Sequence, residues 1–189
     1  MTENVTLGLQ PLPVAFLVLL VNNWGDAPRA SSNQSDHPYP TMDRLREKFP
    51  EYAPWVEGVD EATMVETANL VYPVYAASTG GDCAERLNDL VAQSGLAPML
   101  GAEDWQIREV WRATRPGREL MAAAALTMIE QMRADPDASR LGTCAGDDCT
   151  DVYVDHSRAG RRSFCCVGCQ NRARSRAYRA RKKAAAGTA

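Results

Sequence analysis

The spacing of apolar and polar residues along the chain predicts a mostly helical body with one hairpin. Apolar residues recur every three or four positions through residues 61–72, 82–95 and 117–133, the last being the clearest pattern. Each of these patterns is typical of an amphipathic helix that packs one face on a core. Residues 99–111 differ, because two apolar runs flank a short polar stretch, and this arrangement predicts a β-hairpin.

Residues with special backbone preferences predict where these helices begin and end. Thr41 is a good N-cap for a short helix that Pro50 closes. Pro73 is expected to follow the end of the next helix, since proline disfavours helical geometry in the residue before it. Asp82 is expected to cap the following helix, and Gly95 lies just past its end.

The N-terminal stretch leaves one element open. Residues 14–21 are an apolar run whose period does not separate a buried strand from a helix. The run is shorter than the roughly 20 residues that a membrane helix needs, and residues 1–10 lack the Lys or Arg of a secretory leader. We therefore expect a cytoplasmic protein with reduced thiols and no membrane partner. Residues 25–40 are rich in Ser, Asn, Asp and Pro and predict a loop.

Charge divides the chain into an acidic body and a basic end. Residues 1–143 hold 11 Lys and Arg against 20 Asp and Glu, a balance of −9. Residues 144–183 hold 10 against 4, a balance of +6. A basic end on an acidic body favours a polyanionic partner for that end, although a helix with a solvated charged face would give the same composition.

The basic end also contains five of the six cysteines. Cys144 and Cys149 form a Cys-x4-Cys pair, and Cys169 closes a second pair with either Cys165 or Cys166. Two such pairs joined by a short hairpin-like stretch can surround one Zn²⁺ with four thiolates, the ligands of many structural zinc sites. Spacing alone slightly favours Cys166, because Cys-x2-Cys is the commoner zinc knuckle. The sixth cysteine, Cys83, lies on a helical apolar face and is expected to be a core thiol.

The residues around these cysteines resemble the CGNR-type zinc finger of bacterial proteins described as stress-induced transcription regulators. Gln170 replaces a glycine of the family pattern, and the second cysteine loop is shorter than the commoner family form. An aromatic residue precedes the first knuckle cysteine in the family, and the resemblance therefore implies Cys165 as the third ligand. The implied zinc ligands are Cys144, Cys149, Cys165 and Cys169. The matching positions are Tyr153, Asp155, Ser157, Arg158, Arg161, Arg162, Phe164, Cys165, Cys169, Asn171 and Arg172.

The body is similar to the N-terminal ABATE-type domain of the same proteins. The segment VLLVNNW resembles a family LDFVNT-type segment and places Asn22 on the family asparagine, while Leu19 stands where the family often has Asp. The expected fold is α+β, with a mainly helical N-terminal domain that includes a small β-hairpin and spans residues 1–139. A small treble-clef or ribbon-like zinc module (residues 140–189) is expected to follow and to end in a basic helix.

The predicted basic helix runs over residues 171–186. On it, Arg172, Arg176, Arg179 and Lys183 share one face and are expected to contact DNA phosphates. Arg174 and Arg181 flank Tyr178 on another face and are candidates for contacts to base edges. The arginines near the knuckle (Arg158, Arg161 and Arg162) lie where they could offset the −2 charge of a four-thiolate zinc centre.

Two classes of function remain compatible with this sequence. In the first, the zinc module binds DNA as part of a transcription regulator, and the body binds a small-molecule effector or forms a homodimer. In the second, the protein is an enzyme or an accessory biosynthetic protein, and the zinc is only structural; protein–protein binding by the module is a third option. Catalysis is less favoured, because the two histidines form no recognisable catalytic spacing and four cysteines would leave zinc no open position.

Overall fold

The chain folds into helices and two antiparallel hairpins in a computed structural model that describes residues 8–186, apart from the side chains of residues 103, 185 and 186. This architecture confirms the predicted α+β class. The expectation that residues 1–10 are not a leader falls mostly on residues 1–7, outside the described residues. The described helices are α1 (Val14–Trp24), α2 (Asp26–Ser31), α3 (Met42–Lys48), α4 (Ala53–Val56), α5 (Glu61–Tyr75), α6 (Gly80–Ser94), α7 (Glu119–Ala134) and α8 (Val167–Ala186). The strands are β1 (Leu96–Glu103), β2 (Gln106–Ala113), β3 (Leu141–Thr143) and β4 (Val152–Val154).

Helix α1 lies at the centre of the body and resolves the ambiguity of the N-terminal apolar run in favour of a helix. It packs against α5 and α7, which pack in turn on α6. Burial of each large apolar side chain contributes about 1.5–3 kcal/mol relative to exposure, so the five buried residues of α1 together contribute on the order of 10 kcal/mol. Its buried residues are Phe16, Leu17, Leu20, Val21 and Trp24.

Two predicted helix boundaries are wrong. Helix α5 continues through Pro73 to Tyr75, because the side chains of Val74 and Tyr75 are buried in the core and outweigh the cost of proline. Helix α6 begins at Gly80, two residues before Asp82, and its N-cap is Thr79. The Thr79 hydroxyl accepts from the Asp82 N–H at 3.1 Å, and the Asp82 carboxylate accepts from the N–H of the residue before Thr79 at 3.0 Å. This reciprocal pair resembles a capping box, except that the carboxylate accepts from the residue before the N-cap and not from the N-cap itself.

The segment predicted as a loop contains the short helix α2. Its six residues begin at Asp26, whose charge suits the positive end of a helix, and include Pro28 in the first turn, where proline is tolerated. The remainder of residues 25–40 contains no further helix or strand.

The predicted hairpin is present and is longer than expected. Strands β1 and β2 pair antiparallel from Leu96↔Ala113 to Glu103↔Gln106, so the turn consists of Asp104 and Trp105. Asp104 has a positive φ of 52°, a conformation that tight hairpin turns require. Trp105 is fully exposed at the tip.

A second hairpin connects the body to the cysteine region. The hairpin-like stretch was expected between the two cysteine pairs, but β4 pairs with β3, and the first cysteine loop therefore lies between the paired strands. The preference has a physical cause, because Leu141, Val152 and Val154 all enter the hydrophobic core of the body. The division of the chain between residues 139 and 140 remains a prediction. Among residues 8–186, no helix has both the length and the apolar character needed to span a membrane.

Candidate metal centre

The structure brings four cysteine side chains together at the end of the second hairpin. Cys144 directly follows β3, and Cys149 ends a turn in which its N–H donates to the Gly146 carbonyl at 3.2 Å. Cys165 precedes α8, and Cys169 lies in the first turn of that helix. Two chain segments that are distant in sequence thus each contribute two sulfurs to one site.

The arrangement of the sulfurs fits a zinc ion. All four Sγ atoms lie within 4.8 Å of one another. The Sγ of Cys165 is 3.6 Å from that of Cys149 and 3.5 Å from that of Cys169. Zn–S bonds of about 2.3 Å in a tetrahedron place sulfurs about 3.8 Å apart, close to these separations. The four cysteines therefore form a zinc-binding site whose all-thiolate shell suits a structural ion.

The alternative third ligand lies outside this cluster. Cys166 is exposed, whereas Cys144, Cys149 and Cys169 are buried and Cys165 is half-buried. The geometry thus places the sulfur of Cys165, the ligand implied by the family resemblance, with the other three. The commoner Cys-x2-Cys spacing would instead have predicted Cys166 as the ligand.

The cysteine thiols of this site need a bound cation to lose their protons together. Burial raises the pKa of Cys149 to about 12, and the nearby Asp151 carboxylate adds to this effect. Burial also raises the pKa of Cys165, whose Sγ lies 3.5 Å from an Asp151 carboxylate oxygen. Four adjacent thiolates are therefore unfavourable without a divalent cation, and metal binding is coupled to proton release.

A buried carboxylate fixes the turn that follows β4. The side chain of Asp155 is only 2% exposed, and its two oxygens accept from the Ser157 N–H at 2.8 Å and the Arg162 N–H at 2.7 Å. Hydrogen bonds from Ser157 and from the Arg162 backbone lower the pKa of Asp155 from 3.8 to about 2. The resulting stabilisation is present above the ordinary pKa and is lost as the pH falls towards 2.

Arg162 holds the segment that carries the third cysteine. Its guanidinium donates to the carbonyl of Phe164 at 2.8 Å and also to that of Cys165. The same group stacks over the Tyr153 ring at 4.9 Å, and the Tyr153 hydroxyl donates to the Arg162 carbonyl at 2.6 Å. Together these contacts orient the knuckle towards the Cys144–Cys149 loop.

The cysteine pairs and the pinned turn between them correspond to a known sequence family. Residues 140–182 match the CGNR zinc finger. No curated protein is similar enough to the chain to count as a match. In this CGNR zinc finger, the matching residues Asp155 and Arg162 have a structural task, since both position the ligand Cys165.

Polar contacts also fasten the CGNR zinc finger to the body. The side-chain amide of Asn22 accepts from the Val152 N–H at 2.7 Å and donates to the Val152 carbonyl at 3.1 Å, so it pairs with β4 as a neighbouring strand would. Ser31, at the end of α2, accepts from the Thr150 N–H at 3.0 Å. Its hydroxyl also lies 3.1 Å from that of Thr150. Both contacts lie next to the cysteine loop, so the body contributes to its position.

Two of the six predicted DNA-contacting residues have partners inside the CGNR zinc finger. Arg172 donates to the Sγ of Cys169 at 2.9 Å. Arg176 pairs with Asp148 at 2.6 Å and also with Asp147, both in the first cysteine loop. The other four, Arg174, Arg179, Arg181 and Lys183, are exposed along α8.

A positive charge beside the cysteine sulfurs comes from Arg172, whereas charge compensation by Arg158, Arg161 and Arg162 stays a prediction. Arg162 donates to backbone carbonyls, while Arg158 and Arg161 are exposed. Arg172 falls on the thiolate because α8 begins at Val167, four residues earlier than predicted, and brings Cys169 into its first turn. Arg172 is three positions after Cys169, and residues three positions apart on a helix lie on the same face. The sequence contains this spacing, but it predicts the contact only when the helix is known to begin before Cys169.

Proposed function

We propose that the protein binds DNA through α8 and acts as a regulator of transcription, with zinc holding that helix in place. The observation that carries this proposal is the charge of α8, which contains seven Lys and Arg residues and no Asp or Glu. Residues 177–184 of this helix are all exposed. A cationic helix of 20 residues is about 30 Å long and offers phosphates an extended surface.

Five of these cations are free to meet a partner. Whereas Arg172 and Arg176 bind inside the zinc module, the remaining five have no ion pair within the described part of the chain. Like charges four positions apart destabilise a helix by a few tenths of a kcal/mol per pair, and phosphates would remove that penalty. The five are Arg174, Arg179, Arg181, Lys182 and Lys183.

The free cations occupy more than one face of α8. Arg179 and Lys183 continue the face that begins with Arg172 and Arg176, while Arg174 and Arg181 lie on the opposite side with Tyr178. Tyr178 is 61% exposed, which leaves its ring available for contact with a base or sugar. This arrangement supports phosphate contacts on one face and base contacts on the other.

The zinc site would give this helix a fixed direction. Cys169 would tie the first turn to the metal, and Arg176 ties the third turn to Asp147 and Asp148. The later turns project from these two attachments. A helix oriented before binding loses less conformational freedom when it meets DNA, which favours affinity.

A salt titration of the full-length zinc protein on duplex DNA tests the proposal. If Arg179, Lys182 and Lys183 bind phosphates, the slope of log affinity against log salt should approach about −2.7. Replacing Arg179 and Lys183 by Gln should weaken binding on every sequence and flatten the slope by about 1.8. By contrast, Arg174→Gln or Arg181→Gln should relax sequence preference at one position by about 1–3 kcal/mol.

The matched control removes the same charge from the body. Arg86→Gln with Arg133→Gln changes two exposed, ion-paired residues outside the zinc module and should leave the slope unchanged. Zinc content should stay near one equivalent in every variant. Salt-insensitive binding by the wild type, or equal binding by the Arg179→Gln/Lys183→Gln variant, would refute DNA binding through α8.

A purely structural role for zinc is the second candidate. It is favoured by the seam between module and body, where Leu141, Val152 and Val154 enter the body core and Asn22 binds β4. In that case the metal stabilises the whole fold of an enzyme or accessory protein, and α8 is only a solvated helix. A variant with all five free cations changed to Gln separates DNA binding through α8 from a purely structural role of zinc. If zinc is only structural, this variant should keep full biological activity, whereas a DNA-binding regulator should lose it.

A further inference from the structure

A cavity of about 590 Å³ opens in the body, away from the zinc site. It lies between the C-terminal half of α1, helix α2, the loop that follows it and helix α3. Its volume is in the range of pockets that hold small organic molecules. The lining residues that matter here are Trp24, Arg29, Tyr39, Arg44, Lys48 and Phe49.

The charge of this cavity is opposite to that of the body around it. Three of its lining residues are cations (Arg29, Arg44 and Lys48), and none is Asp or Glu. Residues 1–143 nevertheless carry a net charge of −9. A cationic cavity in an acidic body focuses positive potential where an anion could bind.

Arg29 is the most unusual of the three cations because it is buried. Its side chain is only 4% exposed and has no carboxylate partner among the ion pairs of residues 8–186. The guanidinium donates to the carbonyl of Gln34 at 2.7 Å and also to that of His37, and it stacks over the Tyr39 ring at 4.1 Å. These neutral partners hold the group in place but leave its charge uncompensated, which is costly for a buried ion.

The other two cations repel each other in the absence of a partner. Arg44 and Lys48 are four positions apart on α3, so their side chains lie on the same face and destabilise the helix slightly. Neither forms an ion pair within the described residues. Lys48 lies 5.3 Å from the centre of the Phe49 ring, which also lines the cavity. Arg46, on the same helix, is instead paired with Asp43 at 3.1 Å.

We propose that this cavity binds a small organic anion that carries an aromatic ring. The three cations would bind its carboxylate, and the rings of Tyr39 and Phe49 offer flat apolar surface for the ring. Neutral molecules would leave Arg29, Arg44 and Lys48 without compensation. The site is separate from α8 and does not depend on DNA binding.

Nitrogen-15 NMR titrations of the zinc-loaded protein without DNA test the proposal. The probes are a panel of aromatic carboxylates (benzoate, phenylacetate and indole-3-acetate), each paired with its neutral amide, and inorganic phosphate. At least one carboxylate should bind at least about tenfold more tightly than its amide, because charge-assisted hydrogen bonds are lost with the charge. The indole signal of Trp24 should shift, whereas that of the exposed Trp105 should not.

Variants of α3 identify the site without disturbing buried Arg29. Arg44→Gln with Lys48→Gln should weaken the best carboxylate by at least about tenfold. Arg46→Gln is the matched control on the same helix, and its affinity should stay within about twofold of wild type. The proposal is overturned if no carboxylate is preferred to its amide, or if the double variant binds as well as wild type. Equal affinity for inorganic phosphate would disprove the requirement for a ring.

Discussion

The body and the zinc module are stabilised by different means. In the body, large side chains such as Phe16, Leu20 and Trp24 are completely buried and form one continuous core. The buried cluster at the metal centre consists of three cysteines, with Phe164 and Cys165 packed against it. Such a cluster buries too little apolar area to hold 20 residues of charged helix in place.

This difference shows which interactions each region depends on for its stability. Apolar burial gives the body its stability directly, whereas the module relies on its four-cysteine metal site, on the hydrogen bonds that Asp155 accepts and on those that Arg162 donates. The seam between the two regions is held by both apolar burial and hydrogen bonds. Val152 is buried in the body core, and its backbone is also hydrogen-bonded to the side chain of Asn22. Each of the following changes should therefore affect one region more than the other.

The largest effect should follow from loss of a zinc ligand. Structural zinc contributes on the order of 10 kcal/mol of folding free energy. Cys165→Ser should therefore lose most of the bound zinc and unfold residues 155–186, while the body signals remain dispersed. Cys166→Ser, which changes an exposed neighbour, should keep about one equivalent of zinc and the wild-type fold. Elemental analysis and NMR of the two variants measure this, and the reverse outcome would make Cys166 the ligand.

Truncation in the body core should have the next largest effect. Phe16 is fully buried, and its ring centre lies 4.9 Å from that of Tyr52. Phe16→Ala should lower the free energy of unfolding by about 3–5 kcal/mol in urea denaturation while zinc stays bound to the folded protein. Trp105→Ala, at the exposed hairpin tip, should change the same free energy by less than about 0.5 kcal/mol. Zinc loss before body unfolding in Phe16→Ala would contradict independent sources of stability.

The sequence predicted elements best where one physical signal decided the outcome. The apolar spacing of residues 117–133 predicted α7, and the cysteine spacing predicted the metal and three of the four clustered sulfurs. The fourth sulfur needed the family resemblance, because the Cys-x2-Cys and Cys-x3-Cys spacings differ by one residue. Signals that depend on tertiary contacts were missed, as at Pro73, where burial of the following residues extends α5.

Contacts between distant polar residues were the least predictable part of the site. Nothing near Asn22 in the sequence indicates that its amide binds the backbone of Val152, 130 positions away. Similarly, Arg176 was assigned to phosphates because its helical face is cationic, while its partners Asp147 and Asp148 belong to a loop outside the helix. Helix periodicity gives the face of a residue but not the loop that folds against it.

A smaller effect should come from the seam. Asn22→Ala leaves the N–H and carbonyl of Val152 without their side-chain partner, and loss of such partly buried hydrogen bonds costs about 1–3 kcal/mol. Chelator competition should also show faster zinc loss, because β4 leads out of the cysteine loop. Asn23→Ala is the matched control, since Asn23 donates only to the Leu19 carbonyl of its own helix and is exposed. Equal effects of the two substitutions would mean that the seam does not support the metal site.

The smallest expected effect concerns the acidic pair in the first cysteine loop and depends on DNA binding by α8. Asp147→Asn with Asp148→Asn releases Arg176 from its two partners and gives α8 a sixth free cation. Affinity for duplex DNA should rise by a few-fold, and the salt slope should steepen by about 0.9, the value for one added phosphate contact.

A third substitution separates this mechanism from a general change in charge. Adding Arg176→Gln to the double variant should return the slope to its wild-type value, because the released cation is then absent. If the double variant binds more tightly but the third substitution leaves its slope unchanged, the gain comes from lower repulsion between the loop and DNA. An unchanged slope in the double variant itself would mean that Arg176 does not reach phosphate even when free. In that case Arg176 serves only the zinc module, and DNA contacts are made only by the part of α8 that follows Arg176.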